Sequence, residues 1–388
     1  MARDCCWIRG SAVVPLGAMA RSKHTGRTGP LLTRAGLVAA FLATAGVVAV
    51  EQSAQAEGLV RCWGDNGYGQ CSTPADLGAC SSVAGGDWHT VALRTDGTVR
   101  CWGSNSNGQR NTPTDLGTCS TIAAGSSHTI ALRSDGGVRC WGDNYYGQCN
   151  TPSDLGTCLR VAAGDGHTIA LQTDGTVRCW GDNYYGQIMI PADLGTCSTI
   201  AAGSYHTISI RIDGSVRCWG YNWVGQCNPP TDLGPCLSAA GGKRHTVALR
   251  TDGAVRCWGS NSYGQRNTPA DLGICSSVAA GAFHTIALRT DGTVRCWGYN
   301  NWDQSDPPLD LGPCTSIAGG FYHTIAIQSR PCTGDLNHDT QVNGADLGVL
   351  LGQWATSGGT TGADLNLDGT VNGADLGLLL GAWGPCTN

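Results

Sequence analysis

The chain repeats itself every 39 residues. Arg-Cys-Trp-Gly begins at Arg61, Arg100, Arg139, Arg178, Arg217, Arg256 and Arg295, with no insertion between copies. His89, His128, His167, His206, His245, His284 and His323 keep the same step, as do the Asp-Leu-Gly triplets that start at Asp76, Asp115, Asp154, Asp193, Asp232, Asp271 and Asp310. So strict a period means stacked copies of one supersecondary unit. Residues 57–330 are therefore expected to form one repeat domain.

One copy reads as β structure. Ser81-Ser82-Val83-Ala84 is a short apolar piece ended by Gly85-Gly86, and His89-Thr90-Val91-Ala92-Leu93 is a second, rich in β formers. Asp96-Gly97 is a strong hairpin turn, and Thr98–Trp102 is the returning strand. A turn around Asn105 and Gly108 leads to a fourth extended piece near Gln109. The pieces are too short for paired helices, and the period suits a propeller blade. The expected fold is an all-β, seven-bladed propeller of four-stranded meanders. The last repeat lacks its Asp-Gly turn and returning strand, but Gly58–Trp63 at the other end supplies one. Pairing Val60–Trp63 with His323–Ile327 would close the ring and remove both sheet edges.

Composition bears on compartment and partners. Glycine numbers 58, against about 27 at average usage. With 41% hydrophobic residues and a net charge of −5 the chain is not of the disordered kind. Nor does it offer a basic surface to nucleic acid. Residues 1–56 read as a secretory signal. A basic stretch (Arg21, Lys23, Arg27, Arg34) precedes an apolar run from Leu37 to Val50, too short to span a membrane well, and then Ala54-Gln55-Ala56. Of 24 basic and 29 acidic residues, six and two precede Glu57, which leaves a mature net charge of −9. Of 21 cysteines, 19 remain, in a compartment where disulfides persist. Cys62-type and Cys80-type positions recur in every repeat, and a third occurs only as Cys71, Cys149 and Cys227. The spacing leaves open a Cys71–Cys80 bridge, a bridge across blades, or buried free thiols.

His-Thr-x-Ala-Leu, x-Asp-Gly-x-Val, Cys-Trp-Gly-x-Asn and Gly-Gln recur over about 270 residues. In these features the array resembles the regulator of chromosome condensation family. That resemblance implies a seven-bladed propeller whose loops choose the partner. It does not imply the nuclear nucleotide-exchange role of the name-giving member. Other bacterial proteins that resemble this repeat include an inhibitor of β-lactamase. Seven equally spaced histidines cannot converge on one ion, so each is expected at a strand start, bonded to neighbouring backbone. The seven Trp are expected to wedge between blades. The repeated Asp residues are expected to stabilise their own turns. Asp87, Asp165 and Asp303 break the pattern but are expected in separate blades. Aromatic residues crowd the variable loops, as at Tyr145-Tyr146, Trp223 and Phe321-Tyr322, and suit a protein or glycan contact surface.

After Pro331 no Lys or Arg occurs, and one motif appears twice, 29 residues apart. Asp335, Asn337, Asp339, Gln341, Asn343 and Asp346 occupy positions 1, 3, 5, 7, 9 and 12 of the first copy. Asp364, Asn366, Asp368, Thr370, Asn372 and Asp375 occupy those of the second. Hard oxygen donors at this spacing wrap one Ca2+ ion each, with position 7 giving its carbonyl. Gly369 allows the sharp turn at position 6 of the second loop. Thr340 stands there in the first, so the second is expected to be the better site. Each EF-hand-like loop runs into a helix with one apolar face: Leu347, Leu350, Leu351 and Trp354, then Leu376, Leu379, Leu380 and Trp383. Residues 331–388 are therefore expected to form a small C-terminal α module. The pair resembles a dockerin, which implies a cohesin-like or cell-surface protein partner. Cys332 and Cys386 could clasp its ends.

No nucleophile elbow, His-Glu-x-x-His or phosphate loop is present. The expected function is a secreted bacterial, non-catalytic binding scaffold with a calcium-dependent tail. The alternatives are a component of polysaccharide degradation associated with glycoside hydrolases, and a proteinaceous enzyme inhibitor.

Overall fold

The structure is a computed structural model that describes residues 58–329, 333–337, 341–356, 363–366 and 368–385. The proposed signal segment, Asp339, Thr340 and the Cys332–Cys386 clasp lie outside the described residues.

The array opens with β1 (Gly58–Gly64), followed by β2 (Cys80–Gly85), β3 (His89–Arg94) and β4 (Val99–Gly103). β2, β3 and β4 form an antiparallel meander, and the later repeats copy it at the same spacing. Asp96-Gly97 makes the hairpin. Gly97 takes φ +80°, and the Asp96 carboxylate accepts the Thr98 amide at 2.9 Å. β3 is buried over His89–Leu93 because it is central in its meander and other meanders pack on both its faces. The fourth extended piece is not a strand. Asn105 to Asn111 is a run of tight turns, held by the Asn105 side chain through the Arg110 amide and the Asn111 side chain. The described blades thus have three strands, and the architecture is propeller-like.

The expected end-to-end pairing is present. β1 runs antiparallel to His323–Ser329, with Val60 opposite Ile327 and Trp63 opposite Thr324.

The core lies between meanders. Val91, Leu93 and Val99 of one repeat pack with Leu116, Ile122 and Trp141 of the next. The Trp wedges hold: the Trp141 indole donates to the Gln109 carbonyl at 3.0 Å, and Trp63 does the same to Gln304 where β1 meets the last repeat.

The histidines bond to a side chain of the next repeat, which corrects the expectation of a backbone partner. His89 Nε2 lies 3.0 Å from Thr129 Oγ1, and the contact recurs around the array until His323 meets Thr90 at 3.2 Å. Each Thr hydroxyl gives its one proton to a buried carbonyl, as Thr129 does to Gln109 at 2.8 Å. The ring must therefore donate from Nε2, and the histidine is neutral with Nδ1 as an acceptor. Those Nδ1 atoms are buried and unpartnered among the described residues. Gly86 is required here, because a Cβ on it would stand 2.2 Å from the His89 ring.

The Asp-Leu-Gly carboxylates take their own backbone amides, as at Asp154 and Asp271, and also reach an arginine 24 residues on; Asp76 pairs with Arg100 at 3.0 Å, and the pattern recurs. These pairs are exposed and contribute little. The disulfides are Cys62–Cys71, Cys140–Cys149 and Cys218–Cys227, each within one repeat. The Cys71–Cys80 bridge is excluded because Cys80 is buried in the inter-blade core, whereas Cys71 returns to β1 at a Cα separation of 5.0 Å. Repeats without the third cysteine leave Cys101, Cys179, Cys257 and Cys296 as thiols. Burial pushes Cys101 up to about 12, so these groups stay protonated and inert. These repeat-domain thiols should react negligibly with a thiol reagent at pH 8 and label only in denaturant. Prompt labelling of Cys101 or its counterparts in the folded protein, read by peptide mapping, would contradict this burial.

In the C-terminal module Gly344–Gly352 and Gly373–Gly381 are helices, α1 and α2. Leu350 and Leu379 are buried with Val342, Ala363 and Val371. Leu351, Leu380, Trp354 and Trp383 are exposed, so only part of the expected apolar face is covered. A small two-helix core cannot reach them all.

Candidate functional site

Two places carry chemistry. The first is the mouth of a channel through the array. The inner strands of the repeats line a cavity of about 360 Å³ with alanine, valine, isoleucine and glycine. It is continuous with a narrower collar of about 70 Å³ at the ends of those strands. The glycines before each histidine form the collar wall, with Asp87, Ser126, Asp165, Ser204, Lys243, Ala282 and Phe321 one residue further on. Backbone bonds between repeats tie this collar together, as from Asp87 N to Ser126 O at 3.2 Å and Phe321 N to Gly86 O at 3.3 Å.

Asp87 and Asp165 belong to different repeats, as expected, but the channel brings them together. Periodicity fixes which blade a residue sits in. The curvature of the array decides that channel-facing residues two repeats apart line one collar. The Ser126 hydroxyl donates to Asp87 at 2.7 Å. Burial and the Asp165 carboxylate push Asp87 up to about 7, against the pull of Ser126 and Lys243. Burial also raises Asp165, against Ser204, Tyr205 and Lys243. Asp303 is not part of the collar; it sits in a surface turn at φ 58°.

Aromatic rings surround this mouth. Phe321 of the collar stacks on Trp88 at 5.6 Å, and Trp88 meets Tyr68 at 5.3 Å. Phe283, Tyr322, Tyr299 and Tyr263 continue that arc. A second arc runs through Tyr205, Tyr185, Tyr221 and Trp223. Tyr184 and Trp223 are more than four-fifths exposed and so offer bare ring faces. The aromatic crowding was legible in the sequence, but its convergence on one mouth was not. The usable signal is the column two residues before each histidine, which reads Asp, Ser, Asp, Ser, Lys, Ala, Phe.

The second place is the duplicated loop. In its second copy Asp364, Asn366, Asp368 and Asn372 gather in one turn. Asp364 accepts the Asp368 and Gly369 amides at 3.1 and 2.8 Å, and the Asn366 amide reaches Asp368 at 2.8 Å. The Thr370 carbonyl lies in the same turn and accepts from Asn372 at 3.0 Å. This oxygen-rich set suits a hard cation. Position 12 has a further job. Asp375 takes the amides of Leu365, Asn366 and Asn372, and Asp346 those of Leu336, Asn337 and Asn343. Burial acts to raise both carboxyls, yet these backbone donors hold them below the usual range. Asn343 and Asn372 cap α1 and α2. The loop is thus clamped to its helix through its own side chains. In the first copy Asp335 and Asn337 stand at positions 1 and 3, Asp339 lies outside the described residues, and Gln341 begins a two-residue strand paired with Gly384–Pro385.

Blades of three strands around an axial channel, followed by a small two-helix module, define a propeller-like repeat protein with an appended loop–helix pair. Residues 80–109, 119–148, 159–187, 197–226, 238–265 and 275–301 match the regulator of chromosome condensation (RCC1) repeat, and residues 333–380 match the dockerin type I domain. The chain is an RCC1-repeat protein that carries a dockerin type I domain, a module that typically binds calcium. A search of curated proteins found no match. Among solved structures, the chain is similar to Prp20p from Saccharomyces cerevisiae, at 19% identity and a TM-score of 0.62, over 72% of this chain and 93% of that one. It is also similar to the CRINKLY WD40 ectodomain of the Arabidopsis thaliana receptor kinase ACR4, at 29% identity and a TM-score of 0.52, over 62% and 87%. A third likeness is the ectodomain of the Physcomitrella patens receptor kinase CR4, at 25% identity and a TM-score of 0.55, over 65% and 72%. No helix among the described residues is long and apolar enough to cross a membrane.

Proposed function

We propose that this is a secreted bacterial, non-catalytic binding scaffold. Residues 57–330 form a closed ring of seven blades, and residues 331–388 an attachment module with two Ca2+ ions. The observation that carries the reading is the convergence of two aromatic arcs on one channel mouth. Exposed rings gathered on one face are costly to leave in water and suit a contact surface. Asp364, Asn366, Asp368, Thr370, Asn372 and Asp375 hold the tighter ion; Asp335, Asn337, Asp339, Gln341, Asn343 and Asp346 hold the weaker. When bound, calcium neutralises the gathered carboxylates and so couples ion binding to folding of the module. A cohesin-type protein at a cell surface or in a secreted assembly is the partner of that module.

Immobilised full-length protein should retain a cohesin-type protein in calcium and release it on chelation. A Trp88→Ala, Tyr322→Ala variant should keep that retention and lose the ligand of the ring face. Retention insensitive to chelator would overturn the attachment role, and an unaltered ligand set would overturn the contact face. A chelator should also destabilise the module by about 3 kcal/mol where free calcium had stood near a hundred times its dissociation constant. An unchanged melting curve would remove calcium from the account.

The shared collar of Asp87 and Asp165 favours a second reading, glycoside hydrolysis, which uses paired carboxylates. The size of the collar opposes it. About 15 Å³ of such space holds one water, so 70 Å³ admits a few heavy atoms and not a pyranose ring. A reducing-sugar assay on plant and fungal polysaccharides should read zero.

A further inference from the structure

We propose that the collar is a receptor for one organic ammonium group, carried by a ligand whose body rests on the surrounding aromatic rings. The inference builds on the reading of that face as a contact surface.

The first argument is charge. Asp87 and Asp165 are set deep in the protein yet keep part of their surface open to the cavity, and Asp182 adds its field to Asp165. Among the described residues, Lys243 is a cation whose field reaches both collar carboxylates. It is also the only lysine after residue 23. The neighbouring Arg244 lies over Tyr221 at 5.8 Å and is exposed. Buried carboxylates without matching positive charge are costly. A ligand cation, or a proton, relieves that cost.

The second argument is an internal precedent. Lys243 Nζ lies 4.9 Å from the Phe321 ring centroid and 5.8 Å from that of Phe283. The chain already holds one ammonium on aromatic faces beside these carboxylates. That combination is the one that selects organic cations over hydrated metal ions.

The third argument is size and direction. The collar has room for an ammonium head and the one carbon that bears it, so a sugar ring or an alkyl stem stays outside. The alanine- and valine-lined channel behind it offers no side chain to stabilise a cation, so the charge stops at the collar. The ligand body stays outside, on Trp88, Tyr322 and their neighbours.

The test is calorimetric titration of the calcium-loaded full chain with two amines, a chitosan tetramer and Nα-acetyl-lysine amide. Their uncharged counterparts are the fully N-acetylated tetramer and acetyl-norleucine amide. At least one amine should bind ten-fold or more tighter than its counterpart, and which one does tells an amino sugar from a lysine side chain. Asp87→Asn with Asp165→Asn should weaken the amine at least ten-fold. Lys243→Met should tighten it several-fold, because the built-in competitor is gone. Equal binding of charged and uncharged probes, no amine binding at 10 mM, or loss of binding in Lys243→Met would each overturn the proposal. The opposite signs expected of the two variants separate a lost site from a misfolded chain. Loss of amine selectivity with partner capture still sensitive to Trp88→Ala would defeat this inference alone and leave the contact face standing.

Discussion

Acidified from pH 7 to about pH 4.5, the repeat domain should lose its fold over little more than one pH unit. The cause is the belt of seven buried, neutral histidines. Burial lowers His89, His167, His206 and His284 to about 3, and His128, His245 and His323 to about 4. In the unfolded chain each returns to about 6.5. The unfolded state therefore binds more protons at every pH between those values. Stability is whole above about pH 6.5 and falls as pH drops toward 4. Asp87 and Asp165 work the other way, because burial raises them in the fold. Setting a full proton against the histidines for each of the two carboxylates still leaves a net uptake of about five protons, or about 7 kcal/mol per pH unit at the steepest. A domain holds about 5–15 kcal/mol in all. Urea unfolding at pH 7, 6 and 5 would measure the slope; a midpoint unchanged at pH 5 would show that the rings are not buried and neutral.

Removal of residues 58–64 should unfold the array at ordinary temperature. β1 supplies Val60 to one inter-blade core and Trp63 to another. It also supplies the Trp63 bond to Gln304 and the Arg61 bond to Gln328 at 2.9 Å. Losing one buried Trp costs about 3–5 kcal/mol, and Val60 adds to that. The deletion also bares the edge of His323–Ser329. The loss is comparable to the stability of the whole domain. Circular dichroism should show a collapsed or aggregated product, and adding β1 back as a peptide should partly restore the melt. A truncated protein that melts within a few degrees of the intact one would mean that closure is dispensable.

The sequence carried the strands and their pairing because period and hairpin chemistry are local. Asp96-Gly97, the β formers of His89–Leu93 and the orphaned Gly58–Trp63 each read directly. The missing fourth strand was not legible. Asn105 and Gln109 look extended, but the Asn105 side chain satisfies the backbone of its own turn in place of a ladder. The histidine partners were hidden for another reason: His89 and Thr129 are 40 residues apart and meet only when blades stack. The collar failed on the same ground, since Asp87 and Asp165 are neighbours only across a curved array. The proposed calcium loops lie within twelve residues each, so there spacing alone was enough to propose the donors. It did not show that Asp346 and Asp375 also clamp their loops through backbone amides.

The pairing of β1 with His323–Ser329 also sets an order in time. Arg61 and Gln328 are 267 residues apart. Among the described strands β1 is the first to be synthesised, and apart from Gly58 opposite Cys80 it waits for its partner until the final repeat has emerged. Every other meander can form as soon as its own 39 residues are out. Closing so long a loop carries a large entropic barrier and slows the last step. During that interval the growing array has two open ends, each able to capture the wrong strand. A chaperone or rapid dilution that keeps chains apart at this stage should raise the yield of folded protein more than any change to the interior of a blade.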